Sequence, residues 1–328
     1  MKAVVVRDYV PFAEVTLCEL PDPVPGPGEL VLTVEASDAN FPDILQIEGR
    51  YQVKAPLPFS PGMGAVGRVA ALGPDVTGIG IGQRLLALVD HGAHAEMLKA
   101  HADWCFPVPD DVPSDIAAAL GLAYQTAWFA LSDRALLRPG ESVLVLGASG
   151  GIGMAAIQLA KAMGPGQVIA ASRGPEGAAL ALETGADAVV DSATDDPRSF
   201  RDAVLGTTGG KGADVVIDPV GGPLSEAALR ALNWSGRLVV VGFASGAVPS
   251  FKGNYLLVRN IGVSGIQWTD YRARQLDRVH AAQEQIFALW RDGRLRPRIS
   301  RRLPLSGIAT ALADLNAGRA RGKIVLTR

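Results

Sequence analysis

Residues 147–153 read Gly147-Ala148-Ser149-Gly150-Gly151-Ile152-Gly153. Glycines this dense let a backbone turn sharply and come close to a bulky anion, with no Cβ in the way. The preceding run, Ser142–Leu146, has the apolar character of a buried strand. The following run sets Ile152, Ala156, Leu159, Ala160 and Met163 on one helical face. A strand, a glycine turn and a helix in that order bring free N–H groups and the positive end of a helix dipole to one point, which suits a pyrophosphate. The spacing is A-x-G-x-x-G, because Ala148 replaces the first glycine of the strict motif. Its strand–turn–helix context, with further βα units behind it, predicts a dinucleotide site on Ser149, Gly150, Gly151 and Ile152.

The second strand of such a unit ends beside the adenosine ribose, where a carboxylate serves a free 2′-hydroxyl. Here Val168-Ile169-Ala170-Ala171 runs into Ser172-Arg173, and no carboxylate stands there. Ser172 can donate a hydrogen bond and Arg173 can pair with a 2′-phosphate, so the expected cofactor is NADPH. The other reading of Arg173 is an ordinary solvated arginine.

These residues need a scaffold to hold them. Strand candidates lie at Ser142–Leu146, Val168–Ala171, Ala188–Val190, Val215–Asp218, Leu238–Val241 and Ile261–Gly265. Helical candidates between them are Gly151–Met163, Pro175–Thr184, Arg198–Leu205 and Leu224–Leu232. The alternation predicts an α/β fold with a Rossmann-type doubly wound sheet of six parallel strands, over residues 123–267. Residues 1–122 differ. Short strands at Lys2–Val6, Leu30–Glu35, Ala65–Leu72 and Arg84–Val89 are separated by the proline-rich Pro21–Gly28 and the glycine-rich Thr77–Gly82, which predicts a β-rich, barrel-like domain. A helix is expected at Asp115–Leu120 with Ser114 as its N-cap. The tail, 268–328, holds helices at Gln275–Trp290 and Pro304–Asn316 and a last strand at Lys323–Thr327, and is expected to complete the N-terminal domain.

A chain of 328 residues suggests two domains. With 31 basic and 33 acidic residues its net charge is −2, and its pI is about 6.1, which argues against nucleic acid as a partner. Two cysteines, Cys18 and Cys105, supply neither a disulfide framework nor a four-thiolate zinc site. Arg7 and Asp8 end the first apolar run too early for a signal peptide. The longest apolar stretch, Ile116–Leu131, contains Gln125 and Thr126 and is shorter than the roughly 20 residues of a membrane span. A cytoplasmic protein with no membrane partner is expected.

The chain resembles the medium-chain dehydrogenase/reductase superfamily, in its zinc-free NADPH:quinone oxidoreductase branch. The resemblance rests on Asn40-Phe41-Pro42-Asp43, Gly49-Arg50-Tyr51, Pro61-Gly62-Met63, Tyr124-Gln125-Thr126-Ala127, the Ala148–Gly153 loop, Asp218-Pro219-Val220-Gly221-Gly222, Val241-Gly242-Phe243-Ala244-Ser245-Gly246 and Arg321-Gly322-Lys323. It implies a GroES-like catalytic domain, a Rossmann domain, an active site in the cleft between them, and a homodimer pairing through the last Rossmann strand near Ile261–Gly265. It also implies Lys323 as a cofactor-binding residue. Zinc-dependent members carry a cysteine in the first catalytic loop, then a histidine and a glutamate after a proline-glycine pair. Here Asn40 and Pro61-Gly62-Met63-Gly64 stand in those places, so no metal is expected. His91 and His94 have a ligand-like spacing, but they read as a surface loop. The chain departs from the branch at Gly64, Gln83, Gly177 and Ser192; Gly177 replaces a lysine that serves the cofactor phosphate in many relatives.

Without zinc to polarise a carbonyl, the acceptor must already be electrophilic, as quinones and enones are. Hydride then passes to the acceptor, and donors must meet the developing oxyanion. The resemblance points to Asn40, Asp43, Tyr51 and Thr126. Asn40 would hold the substrate oxygen or the nicotinamide ribose. Tyr51 is either a proton or hydrogen-bond donor or a packed aromatic. Asp43 is either a direct participant or a helix-capping carboxylate. Thr126, opening a helix, would touch the nicotinamide. Backbone groups of Gly242, Phe243, Ala244, Ile266, Gln267 and Trp268 would hold the carboxamide, although Trp268 could instead line the acceptor pocket or the dimer interface. Two alternatives stay open. One is an enoyl-thioester reductase, with Arg50, Lys54 and Arg259 facing the CoA phosphates; the other is a cofactor-binding protein with little catalysis.

Overall fold

A computed structural model describes residues 1–193 and 196–327. The chain forms two compact units. One comprises Met1–Leu122, Tyr271–Phe287 and Pro297–Arg328; the other comprises Ala123–Asp270 and Ala288–Arg296. In chain order the first stretch runs β1 (Lys2–Val5), β2 (Thr16–Glu19), β3 (Glu29–Ala39), α1 (Phe41–Ile47), β4 (Gly64–Leu72), β5 (Arg84–Leu88), β6 (Met97–His101), β7 (Cys105–Pro107) and α2 (Ser114–Ala119). The middle runs α3 (Leu122–Phe129), β8 (Ser142–Val145), α4 (Gly151–Met163), β9 (Gln167–Ser172), α5 (Gly174–Thr184), β10 (Ala188–Asp191), α6 (Pro197–Thr207), β11 (Ala213–Asp218), α7 (Gly222–Arg230), β12 (Leu232–Val240), α8 (Gly253–Arg259) and β13 (Gly262–Gly265). The tail adds α9 (Trp268–Arg274), α10 (Leu276–Arg291), β14 (Ile299–Pro304), α11 (Ile308–Asn316) and β15 (Lys323–Thr327).

In the first unit a seven-stranded sheet has the order β14-β15-β3-β4-β5-β7, with β6 also paired to β3. The eleven-residue β3 is its spine. The last strand, β15, lies antiparallel on β3, with Ile324 opposite Ala39. Apolar side chains from both ends of the sequence share one core there, among them Val4, Val6, Ile44, Ile47, Leu312, Ile324 and Leu326. Packing of this kind holds the polar end of β3 in place.

The second unit is built on six parallel strands in the order β10-β9-β8-β11-β12-β13. Its central strands are buried on both faces, which is why Val143–Leu146 and Val215–Ile217 read as continuous apolar runs. The winding reverses between β8 and β11, and ligands of such sheets collect at the carboxyl ends around that point. Gly164 (φ 78°) and Gly185 (φ 113°) end α4 and α5 in the left-handed conformation that a Cβ disfavours.

Several boundaries differ from the sequence reading. Ser114 is the first residue of α2 rather than its N-cap, which is Pro113, and the Ser114 hydroxyl donates to Glu35. Pro304 ends β14, and the helix expected from there begins only at Ile308. Among the described residues, no helix is long and apolar enough to cross a membrane.

Candidate functional site

Parallel strands place all their carboxyl ends on one edge. At the end of β8, Gly147 takes φ 59°, and a Cβ there would stand 2.9 Å from Val220. Ala148 N–H donates to Ala171 O (3.1 Å) and Gly150 N–H to Gly147 O (3.0 Å), tying the turn to β9. A Cβ on Gly153 would collide with the Gly147 carbonyl and stand 2.8 Å from Ala148 Cα, so only glycine lets α4 approach the turn. Gly150 is roomier, its Cβ position lying 3.4 Å from Gly147 O. No side chain caps α4, whose first-turn N–H groups have no intrahelical acceptor. Ser149, Gly150, Gly151 and Ile152 are half-buried, while Leu146 and Ala148 are wholly enclosed. The result is a cradle of N–H donors that suits a diphosphate.

Ser172, the last residue of β9, is buried, and its hydroxyl has no hydrogen-bond partner among the described residues. An orphaned hydroxyl costs free energy unless a ligand satisfies it. A Cβ on Gly177 would collide with this hydroxyl and stand 4.0 Å from Ser149 Oγ, so the two serines flank one small space. Arg173 is exposed beside them, as the N-cap residue of α5. The donor set fits a phosphorylated ribose better than a free one.

Asp218 ends β11 and was not singled out from the sequence as a site residue. Its carboxylate accepts from the N–H groups of Val220 and Gly221 (both 2.9 Å) and from the Ser225 hydroxyl. Burial raises its pKa above the ordinary carboxylate value, against the effect of those three donors. It thereby shapes the turn facing Gly147. A carboxylate closing an apolar run just before Pro219-Val220-Gly221-Gly222 is the signal that could have found it. In the turn after β12, Gly242 N–H donates to Asp218 O (3.3 Å) and Ala244 N–H to Pro219 O (3.1 Å). Those two N–H groups are thus already paired within the chain. Ile266 N–H is likewise committed, to Val240 O (3.0 Å). Gln267 is exposed, and its side chain donates to Thr269 Oγ1.

Thr126 lies in the second turn of α3 and does not open the helix, which begins at Leu122. Its neighbour Gln125 accepts from Trp268 Nε1 (3.4 Å). Trp268 is 4% exposed, so its indole offers little open surface to a partner subunit.

In the first unit the end of β3 carries a buried polar cluster. Asn40 N–H donates to Asp43 Oδ2 (2.7 Å), which closes the start of α1. Asp43 also meets His94 Nε2 (3.0 Å), and His94 Nδ1 meets Ser37 Oγ (3.2 Å). His94 is wholly buried, correcting the surface-loop reading. His91 is half-buried, and burial lowers its pKa. Lys323 joins the same cluster. Its Nζ lies 2.6 Å from Asp38 Oδ2 and 2.5 Å from Asn40 Oδ1, and the residue is 5% exposed. Its charge is met inside the protein by Asp38 and the Asn40 amide oxygen. Asp38, Ser37 and His94 were not singled out as site residues; a carboxylate inside the apolar run of β3 was the available signal, since it needs a buried cation. Tyr51 is half-buried, with its N–H on Leu45 O (3.0 Å). Among the described residues, no three His, Cys, Asp or Glu side chains group as metal ligands do.

Comparison with known proteins agrees with this architecture. Residues 26–110 match the model of the alcohol dehydrogenase GroES-like domain, and residues 151–282 that of zinc-binding dehydrogenases. The chain is 36% identical over 301 residues to quinone oxidoreductase-like protein 2 of Bos taurus, covering 92% of this chain and 85% of that one. A mycobacterial protein solved in complex with NADPH superposes with a TM-score of 0.94 at 31% identity, over 100% of both chains. A quinone oxidoreductase of Pseudomonas syringae gives 0.93 at 28%, over 100% of this chain and 99% of that one. The chain belongs to the medium-chain dehydrogenase/reductase superfamily, in its quinone oxidoreductase branch.

Proposed function

We propose that this chain is an NADPH-dependent oxidoreductase that transfers hydride to a quinone or an α,β-unsaturated carbonyl without a catalytic metal. The observation that carries the reading is the glycine cradle at Gly147–Gly153 with the orphaned Ser172 hydroxyl beside it. Ser149, Gly150, Gly151 and Ile152 hold the diphosphate, and Ser172 and Arg173 hold the 2′-phosphate. Bound NADPH supplies the hydride. The protein's task is to align the acceptor and exclude water.

The positions that carry zinc ligands in related dehydrogenases hold Asn40, Met63 and Gly64, whose side chains are poor donors for zinc. An acceptor that needs no Lewis acid is the consequence. Asn40 meets the substrate oxygen or the nicotinamide ribose, Tyr51 donates a hydrogen bond or proton, and Thr126 borders the nicotinamide. Asp43 fixes the backbone of Asn40. The relatives named as quinone oxidoreductases support the acceptor class.

A homodimer is part of the reading. The four-residue β13 ends the six-stranded sheet, and an exposed edge invites pairing. Nearby, Leu257 and Val258 of α8 are 78% and 75% exposed, apolar surface that a second copy would cover. The test of function is NADPH consumption across quinones, 2-alkenals and enoyl-CoAs. Oxidation with quinones or enones is expected; turnover with enoyl-CoA alone would move the assignment to thioesters, and none at all would leave a binding protein.

A further inference from the structure

We propose that Lys323 is a positioning residue that acts on the reaction through Asn40. The inference rests on the reading that Asn40 meets the substrate or the nicotinamide ribose. Lys323 opens β15 beside the end of β3, one residue before the Ile324–Ala39 pair. Its backbone is pinned on both sides: its N–H donates to Arg298 O (2.8 Å) and its carbonyl accepts from Ser300 Oγ (3.0 Å). The side chain is therefore delivered to one place.

There its ammonium lies between Asp38 Oδ2 and Asn40 Oδ1. An ammonium only donates, so it selects the oxygen end of the Asn40 amide. The opposite end donates to Asp38 O (3.0 Å). Turning the amide over would set its NH2 against the buried charge. With the backbone of Asn40 already held by Asp43, the amide keeps a single orientation and one N–H beyond the bond to Asp38. Asp38 is wholly buried, and its role is to keep the ammonium charged and in place. The lysine thus fixes which face of Asn40 a ligand meets, without touching the ligand.

A double-mutant cycle tests this, with NADPH-dependent quinone reduction and fluorescence titration of NADPH as readouts. Asp38→Asn/Lys323→Met removes the buried ion pair without leaving a lone charge. It should lower kcat by about 10–100-fold, a loss in line with mispositioning. In an Asn40→Ala background the same pair should cost nothing further, in kcat or in NADPH affinity. A tenfold weakening of NADPH that persists in the Asn40→Ala background would make Lys323 a cofactor ligand and overturn the proposal, as would a loss of kcat that multiplies with Asn40→Ala. If Asn40→Ala alone leaves kcat intact, the reading of Asn40 fails first and this one with it. Should the neutral pair not fold, Lys323→Arg keeps the charge but moves its donors, and the same cycle applies: a several-fold loss of kcat that vanishes with Asn40→Ala supports the proposal, and one that persists overturns it.

Discussion

The hydroxyl of Ser172 fills the space that a side chain on Gly177 would need. The two residues define a small polar niche at the end of β9, with a buried donor and an exposed Arg173 beside it. A carboxylate in that niche would repel a 2′-phosphate and welcome a free hydroxyl. Ser172→Asp should therefore weaken NADPH by at least ~10-fold while NADH is held as well or better. Arg173→Ala should raise the Michaelis constant for NADPH and barely change that for NADH. Steady-state kinetics with both cofactors decide it, and equal effects on the two would remove both residues from phosphate recognition.

Two glycines of the cradle should behave differently. Gly153 has backbone within collision distance of a Cβ, so Gly153→Ala should cost about 1–3 kcal/mol of stability and abolish NADPH binding. Gly150 has room for a methyl group on the protein side, so Gly150→Ala should fold normally and lose affinity only. Thermal unfolding and NADPH titration on the two variants separate packing from recognition; equal loss of stability in both would contradict the geometry.

Much of the second unit was legible because each strand carries its own signal. Ser142–Leu146 is apolar, and Gly147–Gly153 announces the turn, so α4 lies where it was expected, at Gly151–Met163. The end of β3 was harder to read. Lys323 is 283 residues from Asn40 in sequence and meets Asn40 and its neighbour Asp38 only because β15 pairs with β3. Sequence spacing carries no trace of such a contact. His94 was misread for a similar reason: its partners Ser37 and Asp43 lie about 50 residues upstream.

Asp43 is wholly buried and depends on His94 and the Asn40 N–H for hydrogen bonds at Oδ2. His94→Phe keeps the bulk but removes the imidazole donor. The expected cost is about 2–4 kcal/mol, that of a buried carboxylate stripped of one partner. Urea unfolding measures it, and His94→Phe/Asp43→Leu should recover much of the loss. A His94→Phe protein as stable as the wild type would mean that the contact contributes nothing.

Glu141 and Arg237 form a two-pronged ion pair, with N–O distances of 2.7 and 2.6 Å. Arg237 lowers the Glu141 pKa, outweighing partial burial, and the Arg138 N–H adds to the effect. The folded carboxyl thus binds its proton less tightly than the unfolded one. Its stabilisation is complete above the unfolded value of about 4.3 and is lost as the pH falls through the lower, folded value. Glu141→Gln should cost about 1–2 kcal/mol at neutral pH, and the gap to wild type should close in acid. A gap that stays constant with pH would contradict the pairing.

The account turns on hydride moving from a nicotinamide held by the glycine cradle to an unpolarised acceptor. NADPH deuterated at the hydride-donating carbon, mixed anaerobically with protein and an α,β-unsaturated ketone, tests this in a single turnover. The deuterium should appear on the β-carbon of the saturated product, more slowly with NADH than with NADPH. Unlabelled product, or protein that binds NADPH and never consumes it with any enone or quinone, would contradict the account.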